Sequence, residues 1–545
     1  MSYNPLSITQ GLALCIASWV LWRILKARFT SSPLDNIRGP PPQSFIAGNY
    51  AELYDRQGWD FHKRVWAQYG TIAKVHAAFS KPCLYISDPA TLNYLFADTN
   101  LVEQSSFIVE TYRLLLGPGL MSSVGERHRR QRKTLNPVFS QRNLKDMLPV
   151  FYGVIHKLRD AIAVQLQDGA KEVDALQWTN RGALEVMGQA GLGYSFDSLQ
   201  ENSSNEFARA LKGLFPAMQR IGFVRTFTPL FLKLGPRSVR RGLAQLVARV
   251  WAPARDLLAV VDTLDLKARE ILAAKRRSLA GTLKAGEGRD LMACLLKANE
   301  EAEAEDRLTE EELLGQVASF VLAGSDTTGI TLARILQHLA EHPDAQEKLR
   351  KEVAGARGSG GGELSYEELA RLPYLDAVVK ETLRLNTPPT MVSRQLCKDV
   401  VAPIGTPITG RDGRLMKEIV IPKGTIAFLG LLAVNVSPAI WGADAGEWKP
   451  ERWLAPPPPS LVEARVPGVY SSMMTFVGGN RTCIGLKFAE LELKAMLSVL
   501  LDSFSFAPSG KNIVWNIATV RYPTVGIEGV KPELPLLVTP LTKIV

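Results

Sequence analysis

From Thr309 to about Ala340, apolar residues recur every three to four positions, a period that predicts one long, largely buried α-helix. Thr309-Glu-Glu-Glu312 at its start has the form of a capping box, and Glu341-His342-Pro343 stops it. At 1.5 Å per residue such a helix is about 45 Å long. Its middle, Ala323-Gly-Ser-Asp-Thr-Thr-Gly329, replaces strong helix formers with small and polar residues, so something other than stability is served there. Tyr374 to Arg384 reads as a shorter amphipathic helix with Glu381 and Arg384 on one face, and Leu486 to Leu501 as a further helix. Thr71 to Phe79 and Cys83 to Ser87, divided by Ser-Lys-Pro, predict a strand pair. Most of the remainder is helical in pattern. Glu300 to Asp306, Gly358 to Gly362 and Pro456 to Pro459 read as solvated loops rather than domain boundaries.

The N-terminal stretch departs from this pattern. Leu6 to Leu25 is mostly apolar and about long enough to cross one bilayer. No charge precedes it, while Arg23, Lys26, Arg28 and Arg38 cluster at and after its end, an arrangement that keeps the bulk of the chain cytosolic. A membrane anchor over residues 1–28 is expected. The competing cleaved secretory signal lacks a basic start and would place Trp19 and Trp22 where small cleavage-site residues belong. An interfacial helix stays open. Arg38-Gly-Pro-Pro-Pro42 makes residues 29–44 a stiff hinge, and residues 45–545 follow as one large domain.

Length alone, 545 residues, would suggest several domains, yet no repeat or long linker divides the chain. Apolar residues at 46% and charged residues at 22% are ordinary for a globular protein. Cys15, Cys83, Cys294, Cys397 and Cys483 are scattered and odd in number, which argues against a disulfide framework or a zinc site. The net charge of +10 suits anionic headgroups or an acidic protein partner. Nucleic acid is not expected, because no basic-aromatic module accompanies the charge.

Candidate chemistry centres on Phe476-Val-Gly-Gly-Asn-Arg-Thr-Cys-Ile-Gly485. Gly479 and Gly485 would let the backbone turn tightly and aim its N–H groups at one point. Cys483 would sit near a helix N-terminus, whose partial positive charge favours thiolate. A lone cysteine is most often a small buried hydrophobe, but these neighbours set Cys483 apart. The run resembles the heme-binding signature of the cytochrome P-450 family of heme-thiolate monooxygenases, with all five fixed positions matched. The resemblance implies heme b with Cys483 as the axial thiolate on iron, Arg481 on a heme propionate and Phe476 packed beside the sulfur. It covers nearly everything from Gly39 onward and implies one mainly α fold with small β-sheets, a single large heme domain behind the N-terminal membrane anchor.

Within the long helix, Gly324 would let a planar ligand approach the backbone, and Thr327 can turn its hydroxyl onto a carbonyl one turn back and open a kink. The segment is similar to the oxygen-activating motif of the same family, so Asp326 and Thr327 would deliver protons to bound dioxygen. By the same resemblance Glu381, Arg384 and Arg452 form a buried triad, and Arg132, Arg394 and His128 lie toward the heme propionates. The basic run Arg127 to Lys133 could instead serve as a docking face for an electron donor. Trp453, where phenylalanine is usual, and the segment starting at Asn435 are departures expected to leave the chemistry untouched.

Residues 104–121, 211–234 (with Phe215, Phe223, Phe227 and Phe231) and 517–524 would line an apolar pocket for a lipophilic small molecule. No flavin or nicotinamide motif is present, so electrons would come from NADPH-cytochrome P-450 reductase, with cytochrome b5 as an additional donor, at the endoplasmic reticulum membrane. Three functions stay open: a monooxygenase of fungal microsomal type, in terpenoid or other secondary metabolism; a heme-thiolate isomerase, dehydratase or peroxygenase; and a membrane-bound heme carrier or sensor. An intact Asp326-Thr327 pair favours the first.

Overall fold

The computed structural model describes residues 32–200, 205–221, 228–280, 288–358 and 361–541, together with Leu14, Ser18 and Trp22. The expected anchor over residues 1–28 lies outside the described residues apart from those three. Among the described residues, no helix is long and apolar enough to cross a membrane.

The long helix runs Glu310–Glu341 and both halves of its capping box form: the Glu312 N–H donates to Thr309 Oγ1 at 3.3 Å, and the Thr309 N–H to Glu312 Oε2 at 2.9 Å. Most of its residues are buried on all sides, which makes it a core element rather than an amphipathic surface helix. Helices Ala175–Val186, Pro373–Leu385 and Leu486–Ser503 pack directly against it. Gln141–Gln165 lies behind the first and last of these, with the Phe151 and Phe488 rings 4.8 Å apart. One contiguous apolar cluster runs through these helices, each fully buried Leu, Ile or Phe contributing about 1.5–3 kcal/mol.

Small sheets flank the helices, as expected for a mainly α fold. The expected strand pair forms between Ile72–His76 and Pro82–Ile86, antiparallel with Val75 opposite Cys83. It stops short of Phe79 because Ala78–Ser80 is a tight turn in which Phe79 takes a φ of 58°. Ile426–Leu429 joins in parallel, followed by antiparallel Val392–Leu396 and Val102–Gln104. That edge pairing sets Gln104 opposite Arg394 and so brings Glu103 and Arg394 to one end of the sheet. A three-stranded sheet of Lys171–Asp174, Pro535–Pro540 and Phe504–Pro508 closes the far end of the Leu486–Ser503 helix.

Candidate active site

The cysteine loop is built by one unusual stretch of backbone. Val477 and Gly479 have φ of 61° and 68°, and Gly479–Arg481 forms a single 3-10 turn. Glycine adopts that region freely, whereas a β-branched residue is strained there by about 1–3 kcal/mol. The strain is held by the Val477 N–H on Met474 O at 2.8 Å and by the Cys483 N–H on Phe476 O at 3.0 Å. Phe476 is buried edge-to-face against Tyr470. Gly485 does not share this role: it is the N-cap of the Leu486–Ser503 helix with a φ of −85°, which any residue adopts.

Cys483 is accessible, yet it is enclosed by protein, so its sulfur faces an opening within the fold. The expectation of a thiolate poised by the helix N-terminus needs correction. Burial pushes the Cys483 thiol up, and the Gly485 N–H and Arg132 only partly oppose it. A bound cation is what would hold the sulfur ionised.

Four basic side chains converge beside this sulfur. Arg132 donates to Thr482 O at 2.6 Å, tying the Gly125–Leu135 helix to the loop. Arg394 is buried and spends one N–H on its neighbour Ser393 O; burial, then Arg481, lowers its pKa to about 10. His128 is buried and held neutral, its pKa pushed down to about 3 by burial and by Arg481, Arg132 and Arg394. Arg481, expected on a propionate, pairs with Glu103 and donates to Ser123 O at 2.8 Å. Among the described residues neither the half-buried Arg132 nor the buried Arg394 has an ion pair, and Glu103, the carboxylate that acts on Arg394, is spent on Arg481. A heme group, with two carboxylates and a metal that takes a thiolate, fits that donor set.

Midway along the buried long helix the chain becomes accessible at Ala323, Gly324, Asp326 and Thr327, before burial resumes at Thr328. Ala323 and Thr327 share a face one turn apart. Thr327 donates to Ala323 O at 2.7 Å as expected, although the helix continues unbroken through this turn rather than opening. At Gly324 a Cβ would lie 2.2 Å from Met187 Cε, so its missing side chain makes room for the end of that methionine.

The proximal scaffold contains the expected triad and more. Glu381 and Arg384 are wholly buried and paired twice, at 2.8 and 2.9 Å, while Arg452 reaches Glu381 at 3.4 Å and Asp444 at 2.9 Å. Trp453 belongs to this network, because its indole N–H donates to Glu381 Oε2 at 3.0 Å, a bond phenylalanine could not make. Asn435 also proves involved: its Nδ2 donates to Thr475 Oγ1 at 2.9 Å and its Oδ1 accepts the Met474 N–H at 2.8 Å. It thereby fastens the triad to the residues that lead into the cysteine loop.

The basic run Arg127 to Lys133 is spent mostly inside the protein. Arg127 and Arg130 both bind Glu312, at 2.8 and 2.6 Å, and Lys133 binds Asp306. Of the three stretches expected to line a pocket, two meet at a cavity of about 370 Å³ lined by Leu114, Leu116, Phe231, Val261 and Leu314 together with charged side chains that include Arg113, Arg240, Asp262 and Arg269. It meets the long helix at Gly315 and Ala318, N-terminal to the accessible turn; residues 517–524 are elsewhere, and Phe223 and Phe227 lie outside the described residues.

Sequence reading missed Glu492, a fully buried carboxyl that Thr328 approaches without closing a good hydrogen bond. Burial holds its pKa well above the usual range, so it is protonated in the fold. Above the unfolded carboxylate pKa, the native state then binds the extra proton, and stability falls as pH rises. Glu492→Gln is expected to raise the thermal midpoint at pH 7–8 and leave it nearly unchanged at pH 4; equal shifts at both values, followed by circular dichroism, would contradict this.

The cytochrome P-450 family model matches residues 38–520. The chain is 47% identical to cytochrome P-450 monooxygenase 91 of Postia placenta, over 97% of this chain and 98% of that relative. It is 45% identical to monooxygenase 81 of the same fungus, over 99% and 98%. The ganoderic acid synthetase of Ganoderma lucidum is 42% identical, over 97% and 98%. Identity at this level over nearly the whole length places the chain in the cytochrome P-450 family, as one of its monooxygenases.

Proposed function

We propose that the chain hydroxylates or epoxidises a lipophilic small molecule in secondary metabolism, with electrons from NADPH-cytochrome P-450 reductase and cytochrome b5 at the endoplasmic reticulum membrane. The observation that carries the site is the pair of guanidiniums without an ion pair among the described residues, Arg132 and Arg394, near the accessible Cys483. Cys483 would ligate the iron of heme b, and Arg132, Arg394 and His128 would hold its propionates. Bound heme would supply dioxygen binding and O–O cleavage.

This chain's own part is positioning and proton supply. The Thr327 hydroxyl, fixed on Ala323 O and accessible, would pass protons that Asp326 replenishes from solvent. The leucines, Phe231 and Val261 in the mixed lining of the cavity beside the long helix support a lipophilic substrate, with the charged side chains there available to a polar group on it. The name of the Ganoderma relative supports a role in secondary metabolism, and the apolar segment Leu6 to Leu25 with its flanking arginines supports membrane attachment.

The test is reconstitution of the full chain with the reductase, NADPH and a panel of lipophiles under ¹⁸O₂. The expected product carries one labelled oxygen and depends on the reductase. Thr327→Ala is expected to keep consuming NADPH while releasing peroxide in place of product. Full coupling in that variant, or turnover without reductase, would overturn the respective assignment.

A further inference from the structure

The last turn of the long helix carries chemistry that oxygen activation does not use. His338, Glu341 and His342 stand at i, i+3 and i+4, which places them on one helix face. One donor atom from each lies within 4.8 Å of the other two. His338 is 4% exposed, and its Nε2 is 2.7 Å from Asn386 Oδ1. An amide oxygen only accepts, so Nε2 carries the hydrogen and Nδ1 holds the lone pair. That Nδ1 has no hydrogen-bond partner, and it faces Glu341 Oε2 at 3.8 Å.

The His338 lone pair is thus buried and unsatisfied, facing an exposed carboxylate whose other oxygen accepts from Gln337, an arrangement that suits a cation between the two. His342 is set up in the same sense. Its Nδ1 lies 2.8 Å from His338 O, a carbonyl that only accepts, so Nε2 keeps its lone pair. Asn386 and the His338 carbonyl thus fix both ring tautomers, the service that outer partners perform in metal sites. The helix C-terminus adds partial negative charge. Arg334, which interacts with both His338 and Glu341, is the opposing charge, and Arg521 lies farther off.

We propose that His338, Glu341 and His342 bind a divalent transition-metal ion of the zinc class. Two imidazoles and one carboxylate are zinc donors, whereas magnesium and calcium prefer all-oxygen sets. Glu341 and His342 are exposed, which allows them to close onto the ion and leaves its remaining position to water. The site would act as a clamp. Trp448 stacks on the His338 ring at 4.9 Å, meets the His342 ring at a tilt at the same distance and donates its indole N–H to Thr382 Oγ1, and Asn386 caps the Pro373–Leu385 helix that carries Glu381 and Arg384. Metal on this turn would fix both imidazoles against Asn386 and Trp448, the contacts that join the end of the long helix to the triad scaffold.

The test uses the heme-loaded full chain, stripped with a chelator and titrated with Zn²⁺ against a chromophoric zinc indicator, then compared with Glu341→Gln and His342→Ala. The unaltered protein is expected to take up one equivalent, with Mg²⁺ in excess failing to compete and X-ray absorption showing nitrogen and oxygen but no sulfur neighbours. Each variant is expected to bind at least ten-fold more weakly with unchanged heme absorbance, which separates loss of the site from loss of the fold. Zinc is also expected to raise the thermal midpoint of the unaltered protein and not of either variant. Absence of saturable uptake, a sulfur shell, or equal affinity in the variants would overturn the site.

Discussion

Arg384→Ala is expected to yield almost no folded, heme-retaining protein. The guanidinium is fully buried, binds both oxygens of Glu381, and also donates to the carbonyls of Asn435, Ala445 and Glu447. Its removal strands the Glu381 carboxylate with Arg452, Trp453 and one backbone N–H, and orphans those carbonyls. Breaking a buried pair costs about 3–5 kcal/mol, and each orphaned carbonyl adds about 1–3 kcal/mol. Against a total stability of about 5–15 kcal/mol, that sum leaves little. Trp453→Phe removes only one indole bond to the same carboxylate, so a loss of about 1–3 kcal/mol with heme retained is expected. Soluble yield and heme-to-protein absorbance ratio, measured side by side, check both. Normal heme loading in Arg384→Ala would mean that the triad is not what holds the proximal side together.

How far these networks were legible from sequence depends on distance along the chain. The capping box, the Thr327-to-Ala323 bond and the Glu381–Arg384 pair are three- and four-residue relations that helical geometry alone dictates. The cysteine loop was recognisable because glycine spacing and a sulfur ligand leave a local signature. Contacts that come from packing were not. Glu103 and Arg481 are 378 residues apart, and only the pairing of Val102–Gln104 with Val392–Leu396 brings that carboxylate to the loop. Asn435 looked like a departure from pattern because its partners, Met474 and Thr475, lie about forty residues on, and Trp453 looked neutral because nothing local shows what its N–H would meet. A missing side chain in sequence does not say which neighbour it admits: beside Gly324 that neighbour is Met187, and beside Gly485 there is open space. The charge of Cys483 was overestimated because a helix terminus is visible in sequence and burial is not.

That last point governs the second large effect. Cys483→Ser is expected to abolish monooxygenation and to remove the strongly red-shifted Soret band of the reduced, carbon monoxide-treated protein, because a hydroxyl cannot supply the thiolate's electron density to iron. Heme content should fall less than activity, since Arg132 and Arg394 remain to bind propionates. A companion measurement isolates the sulfur itself. With burial pushing its pKa up, Cys483 in heme-free protein should be a thiol at pH 7, and its alkylation by iodoacetamide should be slow and should accelerate as pH rises past 9. Heme loading should block alkylation at every pH. Rapid modification at neutral pH would show that the protein alone ionises the sulfur, and an unchanged carbon monoxide band in Cys483→Ser would remove this residue from the iron altogether. The two outcomes are independent: the first concerns what the fold does to the cysteine, the second what the metal takes from it.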